Sequence, residues 1–172
     1  MSFFTDVAFP WVIGIEKGFQ KDPKDPGNWT GGAEGVGDLK GTKYGVSARA
    51  YPNLDIENLT LEDAQAIAKR DYWDKFYGDH LPPGVALCVF DMGYNSGVHE
   101  GVKILQRCLD VQEDGVMGPI TLRLAEVKDP SWLIKTYYME RMMAYRQMKE
   151  WAHDGNGWAA RAQETRDKAL AV

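Results

Sequence analysis

Apolar residues recur at helical spacing along most of the chain, and the period-two alternation of half-buried strands is nearly absent. Residues 6–17 carry apolar positions at this spacing, with Thr5 or Asp6 as N-cap and Pro10 early, where a helix tolerates it best. Residues 18–46 break the pattern. They are rich in Gly and Pro and read as a long loop with at most a short β-hairpin. A loop of that length is uncommon in a compact domain and is usually functional. Thr60-Leu61-Glu62-Asp63 resembles a capping box and opens a helix to about Phe76. Pro82-Pro83-Gly84 punctuates. The strongly apolar run Val85 to Ser96 predicts a central buried helix ended by Gly97, and Glu100 to Leu109 form the next. Pro119 starts a helix to about Glu126. Asp129 caps a long one from Pro130 to about Lys149, with Leu133, Tyr137, Met139, Met143 and Met148 as its apolar contacts. Gly155-Asn156-Gly157 breaks it, and a last helix runs from Trp158 toward Ala169. The expected fold class is mostly α, with no internal repeat.

The chain has 172 residues, 44% of them hydrophobic and 26% charged, as in an ordinary soluble globule of one domain, or one domain with a small helical lobe. Its net charge is −5 and no basic block interrupts it, which argues against nucleic acid as a partner. No apolar run reaches the roughly 18 residues of a membrane span, so stable membrane insertion is not expected. Cys88 and Cys108 fall in apolar helical patterns, the setting of buried free thiols. His80, His99 and His153 lack the paired spacing of metal ligands. The glycines of 31–41 lack the Gly-Lys-Ser/Thr of a phosphate loop, and Lys24 and Pro26 spoil a calcium loop at Asp22 to Gly27. No Gly-x-Ser-x-Gly elbow is present. We therefore expect no metal and no cofactor.

The richest chemistry lies where the first helical pattern ends, at Glu16. A carboxyl against apolar surface has its pKa raised, and the negative end of a helix dipole acts in the same direction. Such a group carries a proton near neutral pH and can donate it to a leaving oxygen, the first requirement of glycoside hydrolysis.

The residues around it resemble glycoside hydrolase family 108, muramidases of phages and bacteria. Glu16, Gly18 and Phe19 match its Glu-Gly-Gly-aromatic element, with Lys17 in place of the first Gly. Asp22, Pro23, Asp25, Pro26 and Gly27 match Asp-Pro-x-Asp-Pro-Gly. Thr42, Tyr44, Gly45 and Ser47 match Thr-x-Tyr-Gly-Ile-Ser/Thr, with Val46 for Ile and a Gly-rich insert from Asn28 to Gly41 between the elements. Leu105-Gln106-Arg107-Cys108-Leu109 followed by Asp114-Gly115-Val116-Met117-Gly118-Pro119 resembles the small peptidoglycan-binding helical region usual in the family.

The resemblance implies a lysozyme-like helical fold. It further implies a muramidase that hydrolyses the β-1,4 bond between N-acetylmuramic acid and N-acetylglucosamine in peptidoglycan, with Glu16 as general acid. Residues 1–100 would form the catalytic region, and 101–172 a helical peptidoglycan-binding region packed against it. Asp25 lies nine residues after Glu16, a spacing similar to the Glu-to-Asp spacing of phage-type lysozymes, and is the first choice to activate water or stabilise charge. Asp22 is the second choice. Both precede Pro, where an Asx-turn is the alternative role. A carboxylate separation of about 6.5–9.5 Å would imply inversion, and about 5–5.5 Å retention. Thr42 would hold the attacking water, with Thr30 next in order. Tyr44 would hydrogen-bond acid or substrate, or pack the loop. Asp91 and Asn95, i and i+4 on the central helix, share a face. They would either tie helices together in a buried network or line a cleft that binds N-acetyl groups; Asn95-x-Gly also occurs in relatives of this family.

Two other readings stay open. A lytic transglycosylase would use Glu16 as both acid and base and leave anhydro-sugar ends. A non-catalytic wall-binding module would bind without cleaving, and Lys17 is its only sequence support. The N-terminus lacks a basic region and a cleavage site of the secretory type. The expectation is a monomer made in a bacterial or host cytoplasm that reaches the wall through another route, such as a phage holin; a bacterial muramidase serving toxin export would look the same.

Overall fold

The computed structural model describes residues 2–14 and 18–172. The chain forms two compact units, Met1–Lys69 and Arg70–Val172. Residue 100, the boundary of the expected functional division, lies inside the second unit and within one of its helices.

In the first unit a π-helical turn, Phe4–Ala8, leads into the short α1, Phe9–Ile13. Pro10 is the second residue of α1, just past the point where the π-helical turn passes into α-helix. Phe4, Ala8, Phe9, Val12 and Ile13 are buried, and the rings of Phe4 and Phe9 lie 5.9 Å apart. The helical segment thus starts earlier than expected, and α1 stops at Ile13. Glu16, with Met1, Ile15 and Lys17, lies outside the described residues.

The long segment that follows is held by many local hydrogen bonds and little regular structure. Its hairpin is β1, Thr42–Lys43, paired antiparallel with β2, Val46–Ser47, in the register Thr42 to Ser47 and Lys43 to Val46. The two-residue turn is Tyr44-Gly45, with φ of 48° and 77°. Positive φ at both central residues suits the twist of a two-residue hairpin, and Gly45 adopts it without steric cost. Two isolated antiparallel bridges, Gln20 with Thr42 and Trp29 with Leu39, stitch the remainder. The unit ends with α2, Leu61–Ala68. Its N-terminus is a capping box: Thr60 Oγ1 accepts from the Asp63 backbone N–H at 3.1 Å, and Asp63 Oδ2 from that of Thr60 at 3.2 Å.

After a π-helical turn, Lys69–Trp73, and 3-10 turns at Asp74–Phe76 and Gly78–His80, the second unit is a helical bundle. Its centre is α3, Pro83–Ser96, with every residue from Gly84 to Gly93 buried. Three helices pack on it: α4, Val98–Cys108, α6, Pro130–Arg146, and α7, Trp151–Leu170. The shorter α5 spans Pro119–Val127. Asp129 caps α6 by accepting from the Trp132 N–H at 2.7 Å. Cys88 and Cys108 are buried free thiols, and burial pushes each up to about 12.

Two expectations for the bundle are corrected. Met139 and Met143 are exposed, and the buried stripe of α6 runs through Leu133, Tyr137, Arg141 and Tyr145 instead. The stripe therefore contains a charge, which apolar periodicity does not reveal. Gly155-Asn156-Gly157 does not break the last helix, because α7 runs unbroken from Trp151. Gly155 is buried against the Trp151 ring, where a Cβ would come within 2.7 Å of it, so this glycine serves close packing rather than a turn. Among the described residues no helix is long and apolar enough to cross a membrane.

Candidate functional site

The first-unit loop gathers most of the candidate residues around one buried amide. The Asp-Pro-Gly element forms a 3-10 turn, Pro26–Asn28, with Asp25 at its N-cap. Asp25 Oδ1 accepts from the Gly27 N–H at 2.8 Å, and its Oδ2 accepts from Gln20 Nε2 at 3.0 Å. The turn carries Asn28 into a fully buried position. Asn28 Nδ2 donates to Gln20 Oε1 at 2.7 Å and to the Asp22 carbonyl at 2.9 Å. Asn28 Oδ1 accepts from Gln20 Nε2 at 3.1 Å and from the Thr42 hydroxyl at 2.7 Å. Thr42 is brought there by the bridge to Gln20, whose N–H and carbonyl each bond to Thr42 at 2.9 Å. Asp25 and Thr42 are thus parts of one hydrogen-bonded unit joined through Gln20 and Asn28.

The other loop candidates are placed differently. Asp22 Oδ1 accepts from the Lys24 N–H at 2.9 Å, an Asx-turn bond of the same kind as that from Gly27 to Asp25, and Asp22 joins the network through its carbonyl and N–H rather than its carboxylate. Thr30 Oγ1 accepts from the Asp38 N–H at 2.8 Å and pins the Gly-rich insert. Tyr44 stands in the hairpin turn, with Lys43 Nζ 5.6 Å from its ring centre. Beside the network opens a largely apolar pocket of about 490 Å³, lined by Gly18, Phe19, Gln20, Thr42, Tyr44 and Gly45. Phe19 is 36% exposed, and its ring lies over Gly41. A second cavity, of about 280 Å³ and walled by Lys21, Lys40, Asp55 and Glu57 among others, contains none of the candidate residues. Among the described residues no group of three or more His, Cys, Asp or Glu could hold a metal ion.

Asp91 and Asn95 belong to the second unit. Asp91 is fully buried, and its oxygens face two arginines. Arg141 Nη1 donates to Oδ2 at 2.6 Å; Arg161 donates to Oδ1 from Nη2 at 2.6 Å and from Nε at 2.9 Å. Arg141 Nε also donates to the Tyr145 hydroxyl at 2.8 Å. Asp91 therefore ties α3 to α6 and α7, the network role of the two weighed for it, and a carboxylate so enclosed presents no oxygen to a ligand. Asn95 is exposed and donates from Nδ2 to the Asp91 carbonyl at 2.7 Å, a bond within its own helix.

Gln20, Asn28, Arg141 and Arg161 were not anticipated from sequence. Arg141 had a readable signal, since it lies four residues from both Tyr137 and Tyr145 on one helical face. Asn28 had almost none, because an Asn after Pro-Gly is an ordinary turn residue.

The family model described as Glycosyl hydrolase 108 matches residues 9–97, more than half of the chain and all of the loop network. The structure of Brucella abortus SagA is similar, with a TM-score of 0.79 and 29% sequence identity, over 98% of this chain and 94% of that one. No curated protein matches. The fold is accordingly mostly α and lysozyme-like, and the protein is a glycoside hydrolase of the lysozyme type, consistent with peptidoglycan hydrolysis in general. The chain belongs to the glycosyl hydrolase 108 family.

Proposed function

We propose that this enzyme cleaves the β-1,4 bond between N-acetylmuramic acid and N-acetylglucosamine by adding water across it. Glu16 protonates the leaving oxygen, and a water held by Thr42, Asp25 or both attacks the anomeric carbon. The observation that carries this reading is the pocket at Gly18, Phe19, Thr42 and Tyr44. It opens two residues along the chain from Glu16, and its hydroxyl-bearing wall belongs to the same network as Asp25. Apolar walls with few polar groups suit a sugar ring, which offers C–H faces and a small number of hydroxyls. Residues 101–172 would supply wall binding, and release into the wall would follow synthesis inside the cell, as for a phage endolysin.

Digestion of purified peptidoglycan by wild type and Glu16→Gln, with products identified by mass spectrometry, tests this. The expected result is reducing N-acetylmuramic acid ends from wild type and a loss of at least about 100-fold in the variant, the scale of a general acid. Anhydro ends would make the enzyme a transglycosylase. Equal cleavage by both proteins would place the acid elsewhere, and binding without cleavage by either would leave a wall-binding module.

A further inference from the structure

The Asn28 amide makes all four hydrogen bonds open to it, two donated and two accepted, with no exposed surface. Its orientation follows from backbone groups whose roles are invariant. The Asp22 carbonyl can only accept, so the Asn28 atom facing it is Nδ2. The Asp22 N–H can only donate, so the Gln20 atom facing it at 3.1 Å is Oε1. Each amide is therefore set independently by one peptide group. Oδ1 of Asn28 then faces Thr42, and an amide oxygen carries no proton. The proton of the 2.7 Å bond must come from the Thr42 hydroxyl.

This has a chemical consequence at the pocket wall. With its only proton given to Asn28, Thr42 offers lone pairs alone to whatever enters. A hydroxyl that donated to a water would occupy one of the lone pairs the water needs for attack. A hydroxyl that can only accept holds the water by its O–H and leaves a lone pair directed outward. Gln20 extends the arrangement, because its two Nε2 protons go to Asn28 Oδ1 and Asp25 Oδ2.

We propose that Asn28 is a positioning residue, anchored by Gln20, that takes the Thr42 hydroxyl proton and so makes Thr42 an obligate acceptor for the attacking water. The proposal rests on the muramidase reading above and assigns a role to a residue outside its candidate catalytic set.

The test is a double-mutant cycle on the turnover of soluble, uncross-linked glycan strands, with Asn28→Ala, Thr42→Val and the double variant. Each single change is expected to lower kcat roughly 10- to 100-fold with KM within about 2-fold, the scale of a misplaced reactant. The double variant is expected to be no slower than Thr42→Val alone, because Asn28 acts through that hydroxyl. Thr42→Ser keeps the donor and is expected to retain most of the turnover. Multiplicative losses in the double variant would overturn the proposal, as would full kcat in Thr42→Val. If Asn28→Ala does not fold, Gln20→Met takes its place in the same cycle, since Gln20 is exposed; because the Gln20 amide also holds Asp25, a few-fold fall in kcat that disappears in the Thr42→Val background supports the proposal, and an unchanged kcat or a fall that persists in that background overturns it. A wild-type protein that releases no reducing ends would instead remove the muramidase reading, and this inference with it.

Discussion

Asn28 and Asp91 are both completely buried polar hubs, one in the loop of the first unit and one in the helical bundle of the second. They solve different problems. Asn28 is neutral, and its four bonds have fixed directions but modest net energy, about 1 kcal/mol each. Asp91 is charged and is compensated by two cations brought from α6 and α7. A neutral hub of this kind aims groups at a pocket; a charged hub fixes which helices meet. The difference teaches where stability and activity should part company. Damage at Asn28 should lower turnover beyond what its loss of stability explains, and damage at Asp91 should act through the fold alone.

The largest expected effect is therefore at Asp91. In Asp91→Asn the side chain keeps its shape, but one arginine loses an acceptor and both lose the opposing charge. Arg141 is only 2% exposed, so water cannot replace what is removed. Breaking a buried pair from one side costs about 3–5 kcal/mol. For a protein of this size that corresponds to a fall in Tm of roughly 10 °C, measured by calorimetry. A fall under about 2 °C would mean that the network contributes little, and the contrast with Asn28 would fail.

How far these regions can be read from sequence differs for the same reason. The helices α2 to α6 follow from apolar spacing, caps and prolines, and a boundary such as Thr60 with Asp63 is local chemistry written in four adjacent residues. The capping role of Asp129 is equally local. Arg141 pairs with Asp91 across fifty positions, so its role appears only once helices are packed. In the loop, the motif residues Asp25 and Thr42 stand out by type and spacing, whereas Gln20 and Asn28 gain their meaning from a bridge between segments about twenty residues apart. Propensity carries no information about which distant backbone an amide will face. The unbroken α7 shows the converse: Gly155 looks like a breaker until the Trp151 ring is seen lying where a side chain would be.

A smaller effect is expected from adding one methyl group inside the loop. Gly41 is buried at φ +89°, and a Cβ there would lie 2.5 Å from the Gln20 carbonyl oxygen and 2.8 Å from the Phe19 ring. That carbonyl belongs to the bridge that delivers Thr42 to Asn28. Gly41→Ala combines an unfavourable backbone conformation with a clash against backbone, a cost of about 1–3 kcal/mol. The accompanying shift of Gln20 and Thr42 is expected to lower kcat more than this stability loss would by itself. Paired measurements of Tm and turnover check this, and a variant with normal turnover would show that the bridge does not set the geometry of Thr42.

The smallest effect reverses the sign of the same substitution. Gly157 lies inside α7, is exposed, has no positive φ, and has open space where a Cβ would go. Alanine there reduces the freedom of the unfolded chain and gains helix propensity, together worth up to about 1 kcal/mol. Gly157→Ala is therefore expected to raise Tm by roughly 2–4 °C and leave turnover unchanged. A lowered Tm would mean that the helix needs glycine at this position and that the sequence pattern was right to mark a break there. A raised Tm, set against the loss in Gly41→Ala, would show one chemical change read in opposite senses by a helix that needs only to be rigid and a loop that must hold a hydroxyl in place.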